Sequence, residues 1–229
     1  MSLVVPAVLP SSQKDLEEKL LLFSNIPSVS CVQIDIVDGK FATPASWPYS
    51  PSTKSDLVLG MLPYLDRISY EIDLMCLDAM SAGEKWLALG ATRLTFHAET
   101  DTNPKRLLLS ARERFGHIVS FGLAINIDTD SSLLEKYLGN IEYVQFMGIA
   151  KIGSQGQIFD KRVVEKIRAF HQKHKEVPIQ VDGGVSLENA KLLLNVGVTN
   201  LVVGSKIVRA KDPDKVVSEF EALQTSFGV

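Results

Sequence analysis

The chain has 229 residues, of which 45% are hydrophobic and 22% are charged, and its formal net charge is -3. A chain of this length can bury a large core, but it has no basic field to collect phosphate backbones, so we expect no nucleic acid partner. Its apolar segments are too short to cross a bilayer, and its first residues lack the pattern of a secretory signal. We therefore expect a cytoplasmic protein without a membrane partner, in which Cys31 and Cys76 are free thiols.

Short segments rich in Val and Ile alternate with longer amphipathic segments, which is the pattern of consecutive βαβ units. We predict eight strands, at residues 3–9, 31–37, 67–75, 93–97, 118–125, 143–147, 178–182 and 200–203. We predict a helix after each strand, at residues 13–24, 55–65, 79–89, 105–115, 131–138, 161–175, 187–196 and 213–224. Eight such pairs favour a closed (β/α)₈ TIM barrel over a doubly wound sheet, although an open sheet would carry the same alternation. We expect residues 1–229 to form one barrel domain.

Acidic side chains stand at the C-terminal ends of the predicted strands, where barrels of this class carry their active sites. Asp35 belongs to the second strand, Asp73 to the third and Asp182 to the seventh. A charge within so apolar a strand must be paired, bound to a metal or functional, because burying an isolated charge is costly. Capping of a loop is the alternative for each one alone. Three carboxylates at one mouth repel unless a cation or a proton separates them, so we interpret the three as a site.

Glycine-rich turns follow the seventh and eighth predicted strands. Gly183 and Gly184 follow the seventh strand, and Gly204 and Ser205 follow the eighth. Such turns expose backbone N–H groups, so we predict that they bind a phosphate, with tight barrel turns as the structural alternative. The loop after the sixth strand, which contains Gly156, is predicted to close over the same phosphate.

Several stretches of the chain resemble the ribulose-phosphate 3-epimerase family, and together they span nearly the whole chain. They are residues 6–9 (PAVL), 34–41 (IDIVDGKF), 73–75 (DLM), 95–99 (TFHAE), 156–159 (GQIF), 181–185 (VDGGV) and 204–205 (GS). The resemblance implies a ribulose-phosphate-binding TIM barrel. It also implies an isomerase that inverts C3 of a ketose phosphate, such as D-ribulose 5-phosphate, and that commonly forms a homo-oligomer.

The resemblance also implies roles for individual residues. Aspartates matching Asp35 and Asp182 act as acid and base on opposite faces of the substrate, while a divalent metal holds the ketone and the adjacent hydroxyl. A C–H beside a ketone is weakly acidic, so a carboxylate can remove its proton while metal charge stabilises the enediolate. Met75 and Met147 are implied to line the substrate pocket. His97 is either a third pocket residue or a histidine bonded to a backbone carbonyl.

The chain departs from the family at the metal-binding positions. The family's metal is held by two histidines beside the two aspartates, and those positions here are Gln33 and Asp73. If Gln33 turns its carbonyl inward, then Gln33, Asp35, Asp73 and Asp182 form an oxygen-only set. Such a set suits Mg²⁺ or Mn²⁺ better than Zn²⁺ or Fe²⁺.

Two other functions are consistent with the sequence. Loss of the family histidines at Gln33 and Asp73 favours a catalytically silent barrel that binds a sugar phosphate. The second alternative is a relative of the phosphate-binding decarboxylases and hexulose-phosphate synthases, which carry Asp-x-Lys-x-x-Asp after the third strand. Here Met75 stands between Asp73 and Asp78 in place of the lysine, so the cation that protonates a carbanion is missing. The epimerase is therefore the leading interpretation.

Overall fold

Eight parallel strands form a closed barrel in this computed structural model, which describes residues 2–51, 60–100 and 103–227. The strands follow one another around the barrel in chain order: β1 (Val4–Val8), β2 (Cys31–Val37), β3 (Ser69–Met75), β4 (Arg93–His97), β5 (Ser120–Ile125), β6 (Tyr143–Met147), β7 (Ile179–Asp182) and β8 (Asn200–Val203). The barrel closes where β1 pairs with β8, with Val4 opposite Leu201. The predicted (β/α)₈ TIM barrel is confirmed.

Helices follow the strands and pack around the sheet. They are α1 (Gln13–Ser24), α2 (Ala79–Ala88), α3 (Pro104–Phe115), α4 (Ser132–Glu135), α5 (Arg162–Lys173), α6 (Leu187–Asn195), α7 (Ser205–Val208) and α8 (Pro213–Phe227). Within the described part of the chain, no helix combines the length and apolar character that a membrane span requires. Cys31 and Cys76 are both free thiols, the second of them buried.

The predicted helix at residues 55–65 is wrong over its described part. Residues 55–59 lie outside the described residues, and residues 60–65 are not helical, with a turn at residues 63–65. Pro63 lacks the N–H that a helix interior needs, and Tyr64 adopts a left-handed φ of 58°. The backbone N–H of Leu62 donates instead to Leu89 at the end of α2.

Two further helix predictions need correction. The helix predicted at residues 131–138 is helical only in α4, and a 3₁₀ turn follows at Leu138–Asn140. Backbone bonds from Tyr137 to Leu134 and from Asn140 to Tyr137 span three residues, which tightens the segment. The short helix α7, directly after β8, was not predicted.

Alternate residues of each strand face opposite sides of the sheet. Ile34 and Ile36 of β2 belong to the apolar core between the sheet and the helices. Gln33 and Asp35 on the same strand are also buried, but they hydrogen-bond to each other inside the barrel, and Gln33 also donates to Asp182 of β7. The fold therefore has an apolar layer outside the sheet and a polar barrel interior.

Candidate active site

A cavity of about 600 Å³ opens at the C-terminal ends of the strands, where the sequence predicts the site. Asp35, Asp182, Met75 and Met147 line it, together with the loops that follow β6, β7 and β8. This volume is within the range of small-molecule sites. The cavity contains two kinds of binding group, carboxylates and glycine-rich turns.

The carboxylate cluster consists of Asp35, Asp73 and Asp182. Asp35 of β2 lies directly opposite Asp73 of β3 in the sheet register, and Asp182 ends β7. One oxygen from each side chain can be chosen such that all three lie within 4.8 Å of one another. Asp73 is fully buried, whereas Asp35 and Asp182 reach the cavity.

The side-chain amide of Gln33 lies between two members of this cluster. Its Nε2 donates to Oδ1 of Asp35 at 2.7 Å and to Oδ2 of Asp182 at 2.9 Å. Its carbonyl oxygen accepts a hydrogen bond of 3.2 Å from Nε2 of Gln180. The two aspartates of the cavity are thus joined through one amide group.

Two further buried glutamines, Gln145 and Gln180, extend this connection deeper into the barrel. Together with Gln33 they form a set that we call the amide network. Nε2 of Gln180 also lies 2.8 Å from Oε1 of Gln145 and 2.6 Å from Oε1 of Glu71, so its two hydrogens are shared among three acceptors, of which Oε1 of Gln33 is the most distant. Nε2 of Gln145 donates to Oδ2 of Asp73 at 2.9 Å. The amide network therefore contacts every member of the carboxylate cluster.

Glu71 anchors the amide network in the barrel interior. Its carboxylate accepts from the Thr95 hydroxyl at 2.8 Å and forms an ion pair with Nε of Arg93 at 3.1 Å. The Arg93 guanidinium lies 4.3 Å from the centre of the Tyr143 ring. A buried carboxylate is tolerated only with such partners. Thr95 and Arg93 therefore hold the Glu71 carboxylate in place, and Glu71 in turn accepts from Gln180 of the amide network.

His97 is fully buried and is not among the residues that line the cavity, although a place in the substrate pocket was one of its two expected roles. Its Nε2 lies 2.7 Å from Oδ1 of Asp73, and the Phe41 ring packs against it at 5.4 Å. Burial acts to lower the pKa of His97, but the charge of Asp73 and the hydrogen bond between them outweigh it and raise the pKa. The Nε2 atom of His97 thus contacts a carboxylate and not a backbone carbonyl.

Burial and mutual repulsion raise the pKa of both cavity aspartates. For Asp35, burial is the largest cause, followed by the charges of Asp182 and Asp73, and the pKa lies well above its ordinary value. For Asp182, burial followed by the charge of Asp73 raises the pKa to about 7, although the hydrogen bond from Gln33 acts in the opposite direction. A proton or a cation relieves this repulsion near neutral pH.

The carboxylate cluster fits a hard divalent cation, because carboxylate oxygens are the ligands that Mg²⁺ and Mn²⁺ prefer. Gln33 does not complete this ligand set in the way the sequence suggested. Its nitrogen faces Asp35 and Asp182, and an amide N–H is a donor that cannot ligate a cation. Asp35, Asp73 and Asp182 are the residues that would hold the ion.

The glycine turns, defined as residues 183–184 after β7 and 204–205 after β8, also line the cavity. Gly183 and Gly184 have φ values of 100° and 69°, a region that side-chain-bearing residues rarely adopt. Gly156 of the β6 loop, with φ of 80°, lines the same cavity. A Cβ atom on Gly204 would lie 2.6 Å from Nε2 of Gln155, so the Gln155 side chain would have to move to admit a side chain there.

Two cationic side chains that the sequence analysis missed, Lys206 and Arg209, line the cavity beside the glycine turns. A Cβ atom on Gly156 would lie 3.5 Å from a guanidinium nitrogen of Arg209, so Arg209 reaches the β6 loop. Both residues lie on or next to α7, which was not predicted. Their position in the chain, directly after the turn at Gly204 and Ser205, could have indicated that they lie near a bound phosphate.

The structure brings most of the predicted site residues to one cavity. Those that line it are Asp35, Asp182, Met75, Met147, Gly156, Gly183, Gly184, Gly204 and Ser205. Gln33, Asp73 and His97 are fully buried next to it. Asp38, at the end of β2, caps the following loop, where it accepts from the backbone N–H groups of Lys40 and Phe41.

Comparison with known proteins agrees with the motifs. A sequence model of the ribulose-phosphate 3-epimerase family matches residues 3–208. The chain belongs to this family. It is 27% identical over 194 residues to ribulose-phosphate 3-epimerase of Bacillus subtilis, covering 82% of this chain and 84% of the relative. It is 25% identical over 228 residues to the enzyme of Helicobacter pylori, covering 97% of this chain and 98% of the relative. These low identities make it a divergent member of a family of sugar-phosphate isomerases.

Solved structures share the barrel at lower identity. KGPDC from Streptococcus mutans superposes with a TM-score of 0.69 at 14% identity, covering 99% of each chain. A 3-hexulose-6-phosphate synthase superposes with a TM-score of 0.63 at 15% identity, covering 96% of this chain and 97% of the other. At such identities the likeness concerns the fold alone.

Proposed function

We propose that this family member is a sugar-phosphate 3-epimerase that inverts C3 of D-ribulose 5-phosphate or a close analogue. The observation that carries the proposal is the pair of cavity aspartates. Asp35 and Asp182 come from β2 and β7, face the same cavity and are held by one amide group. A two-base inversion needs two carboxylates that share one substrate.

In the proposed reaction, one cavity aspartate removes the C3 proton and the other returns a proton to the opposite face of the same carbon. The two must be in different protonation states when the substrate binds. The raised pKa of Asp35 and the pKa of about 7 for Asp182 favour a singly protonated pair near neutral pH. Inversion exchanges their states, so the pair is ready for the reverse reaction.

Negative charge develops on the substrate oxygens when the C3 proton leaves. A divalent cation held by Asp35, Asp73 and Asp182 would stabilise that charge. The buried contact between His97 and Asp73 keeps the third carboxylate turned toward the cluster. Met75 and Met147 supply apolar surface beside the reacting carbon.

The phosphate of the substrate is proposed to bind at the glycine turns. Backbone N–H groups of Gly183, Gly184 and Ser205 are the proposed donors, because the two glycines line the cavity and carry no side chain of their own that could cover their N–H groups. Lys206 and Arg209 add positive charge at the rim of the same region. A ketose phosphate would then extend from these turns to the carboxylate cluster.

The test is exchange of the C3 proton of ribulose 5-phosphate with solvent in D₂O, followed by NMR, with and without added Mg²⁺ or Mn²⁺. We expect the wild type to exchange this proton and Asp35→Asn to lose the exchange, because an amide cannot accept the proton. Asp66→Asn makes the same chemical change at an exposed site and serves as the matched control.

A wild type that binds sugar phosphate but exchanges no C3 proton from any ketose phosphate, under any of these metal conditions, would contradict the epimerase. That result would identify the chain as a silent sugar-phosphate-binding barrel. Exchange that survives unchanged in Asp35→Asn would instead remove Asp35 from the proposed mechanism while leaving the activity in place.

A further inference from the structure

The geometry of Gln33 carries an inference about how the cavity aspartates are held. Its side chain is fully buried, and its Nε2 donates to Asp35 at 2.7 Å and to Asp182 at 2.9 Å. An amide nitrogen carries two hydrogens, so one side chain can serve both carboxylates at once. A neutral donor therefore lies between two groups that repel each other.

The orientation of this amide is set by its other partner. Oε1 of Gln33 faces Nε2 of Gln180 at 3.2 Å, and that amide shares its two hydrogens among Gln33, Gln145 and Glu71. Turning the Gln33 amide over would place its oxygen against two carboxylates and its N–H groups against the N–H groups of Gln180. Both changes would leave buried polar atoms without partners, which costs more than the original bonds contribute.

We propose that Gln33 is a positioning residue that holds Asp35 and Asp182 in their working arrangement without a metal ion. A divalent cation must then compete with this amide for the two carboxylates. The consequence is a lower cation affinity than three neighbouring carboxylates alone would give. The role in turnover rests on the proposed epimerase reaction, whereas the competition with cations does not.

Binding of Mn²⁺ to chelator-treated protein tests the competition directly, with free Mn²⁺ followed by electron paramagnetic resonance. We expect Gln33→Glu to bind Mn²⁺ about tenfold more tightly than the wild type, or more, because a carboxylate replaces the competing donor. Gln33→Leu removes the donor without adding charge, so we expect a smaller gain of about threefold. Gln172→Glu adds the same charge on the exposed surface of α5 and should match the wild type.

These variants separate a positioning role from a merely structural one. A structural role for Gln33 would leave Mn²⁺ binding unchanged or weaker in both variants, and either result in a folded protein would overturn the proposal. Circular dichroism identifies which variants are folded, and Gln33→Leu decides the matter if Gln33→Glu does not fold. If turnover is found, Gln33→Leu should lower kcat without changing the affinity for inorganic phosphate.

The wild type provides a measurement that needs no variant. Stoichiometric divalent metal that stays with the wild-type protein through purification and gel filtration would overturn the proposal, because a cation site weakened by competition with the amide should lose its ion under these conditions. Protein that leaves gel filtration without metal supports it. Absence of C3 exchange would remove the proposed function but would leave the Mn²⁺ readout as it is, so the two failures are distinguishable.

Discussion

The carboxylate cluster and the glycine turns share one cavity but are built in different ways. The cluster is made of side chains inside the barrel, each fixed by further buried side chains such as Gln33 and His97. The glycine turns are made of backbone in loops outside it, with Gly183 and Gly184 in left-handed conformations. The glycine turns form a backbone site, which requires that no side chain covers the N–H groups. The carboxylate cluster forms a side-chain site, whose chemistry depends on which residues are present. Gln33 and Asp73, the two positions at which the resemblance implies histidines in the family, belong to the side-chain site.

The largest effect is expected from a substitution in the carboxylate cluster, which should lower turnover but leave phosphate binding nearly unchanged. Asp182→Asn should lower the rate of C3 proton exchange by about 10²–10⁴-fold, the usual contribution of a positioned acid or base. The affinity for inorganic phosphate, measured by calorimetry, should stay within about twofold, because the phosphate is proposed to contact backbone. Comparable losses in both measurements would mean that the two regions are one structural unit.

A substitution in the glycine turns should instead weaken phosphate binding. Gly204→Leu introduces a side chain at the phosphate turn, where a Cβ atom already meets Gln155. We expect the affinity for inorganic phosphate to fall by about 10–100-fold, equivalent to one or two charge-assisted hydrogen bonds. Gly139→Leu is the control, because a Cβ atom there meets nothing within 4 Å. Unchanged phosphate affinity in Gly204→Leu would remove the turn after β8 from the site.

The carboxylate cluster should also set a pH dependence of stability. The pKa of Asp182 is raised to about 7, so the folded chain binds more protons than the unfolded chain between the ordinary pKa and that value. The free energy of unfolding should therefore fall as the pH rises through this window. The raised pKa of His97 acts with the same sign at higher pH.

Asp182→Asn should reduce this slope and stabilise the fold at pH 8 by on the order of 2 kcal/mol, because no charge remains to be buried at that position. Urea unfolding at several pH values between 4 and 8 measures the effect, with Asp66→Asn as the exposed control. A slope that is the same in wild type and variant would show that Asp182 is not the source.

The smallest effect concerns the rim of the glycine turns. Arg209→Ala should weaken inorganic phosphate binding by about two- to fivefold, since an exposed charge contributes at most about 1 kcal/mol. The loss should shrink at high salt because exposed charges are screened. Lys211→Ala removes an exposed cation that does not line the cavity and should have no effect.

The fold could be predicted because the βα alternation is a property of the sequence itself. The bounds of β2, β4, β6 and β8 agree with the prediction, since a buried strand is a short apolar run with sharp ends. The helix predicted at residues 55–65 is wrong over residues 60–65, its described part, because Pro63 cannot supply the backbone N–H that a helix interior needs.

The site was predictable in position but not in detail. Strand-end geometry was enough to bring Asp35, Asp73 and Asp182 together, because residues at the C-terminal ends of barrel strands share one mouth. The sequence could not decide which atom of Gln33 faces the aspartates. That choice depends on Gln180, which lies 147 residues away in the chain.

The alternation along β2 has a consequence for how such a barrel can change. Ile34 and Ile36 pack against the helices, while Gln33 and Asp35 belong to the polar interior beside the cavity. Residues for packing and residues for the site therefore alternate along this part of the strand. A substitution at position 33 or 35 changes the polar groups of the cavity without replacing a residue of the packing layer, and one at position 34 or 36 does the reverse. A library that varies only positions 33, 35, 73, 145, 180 and 182 should therefore explore new reactions on an intact scaffold.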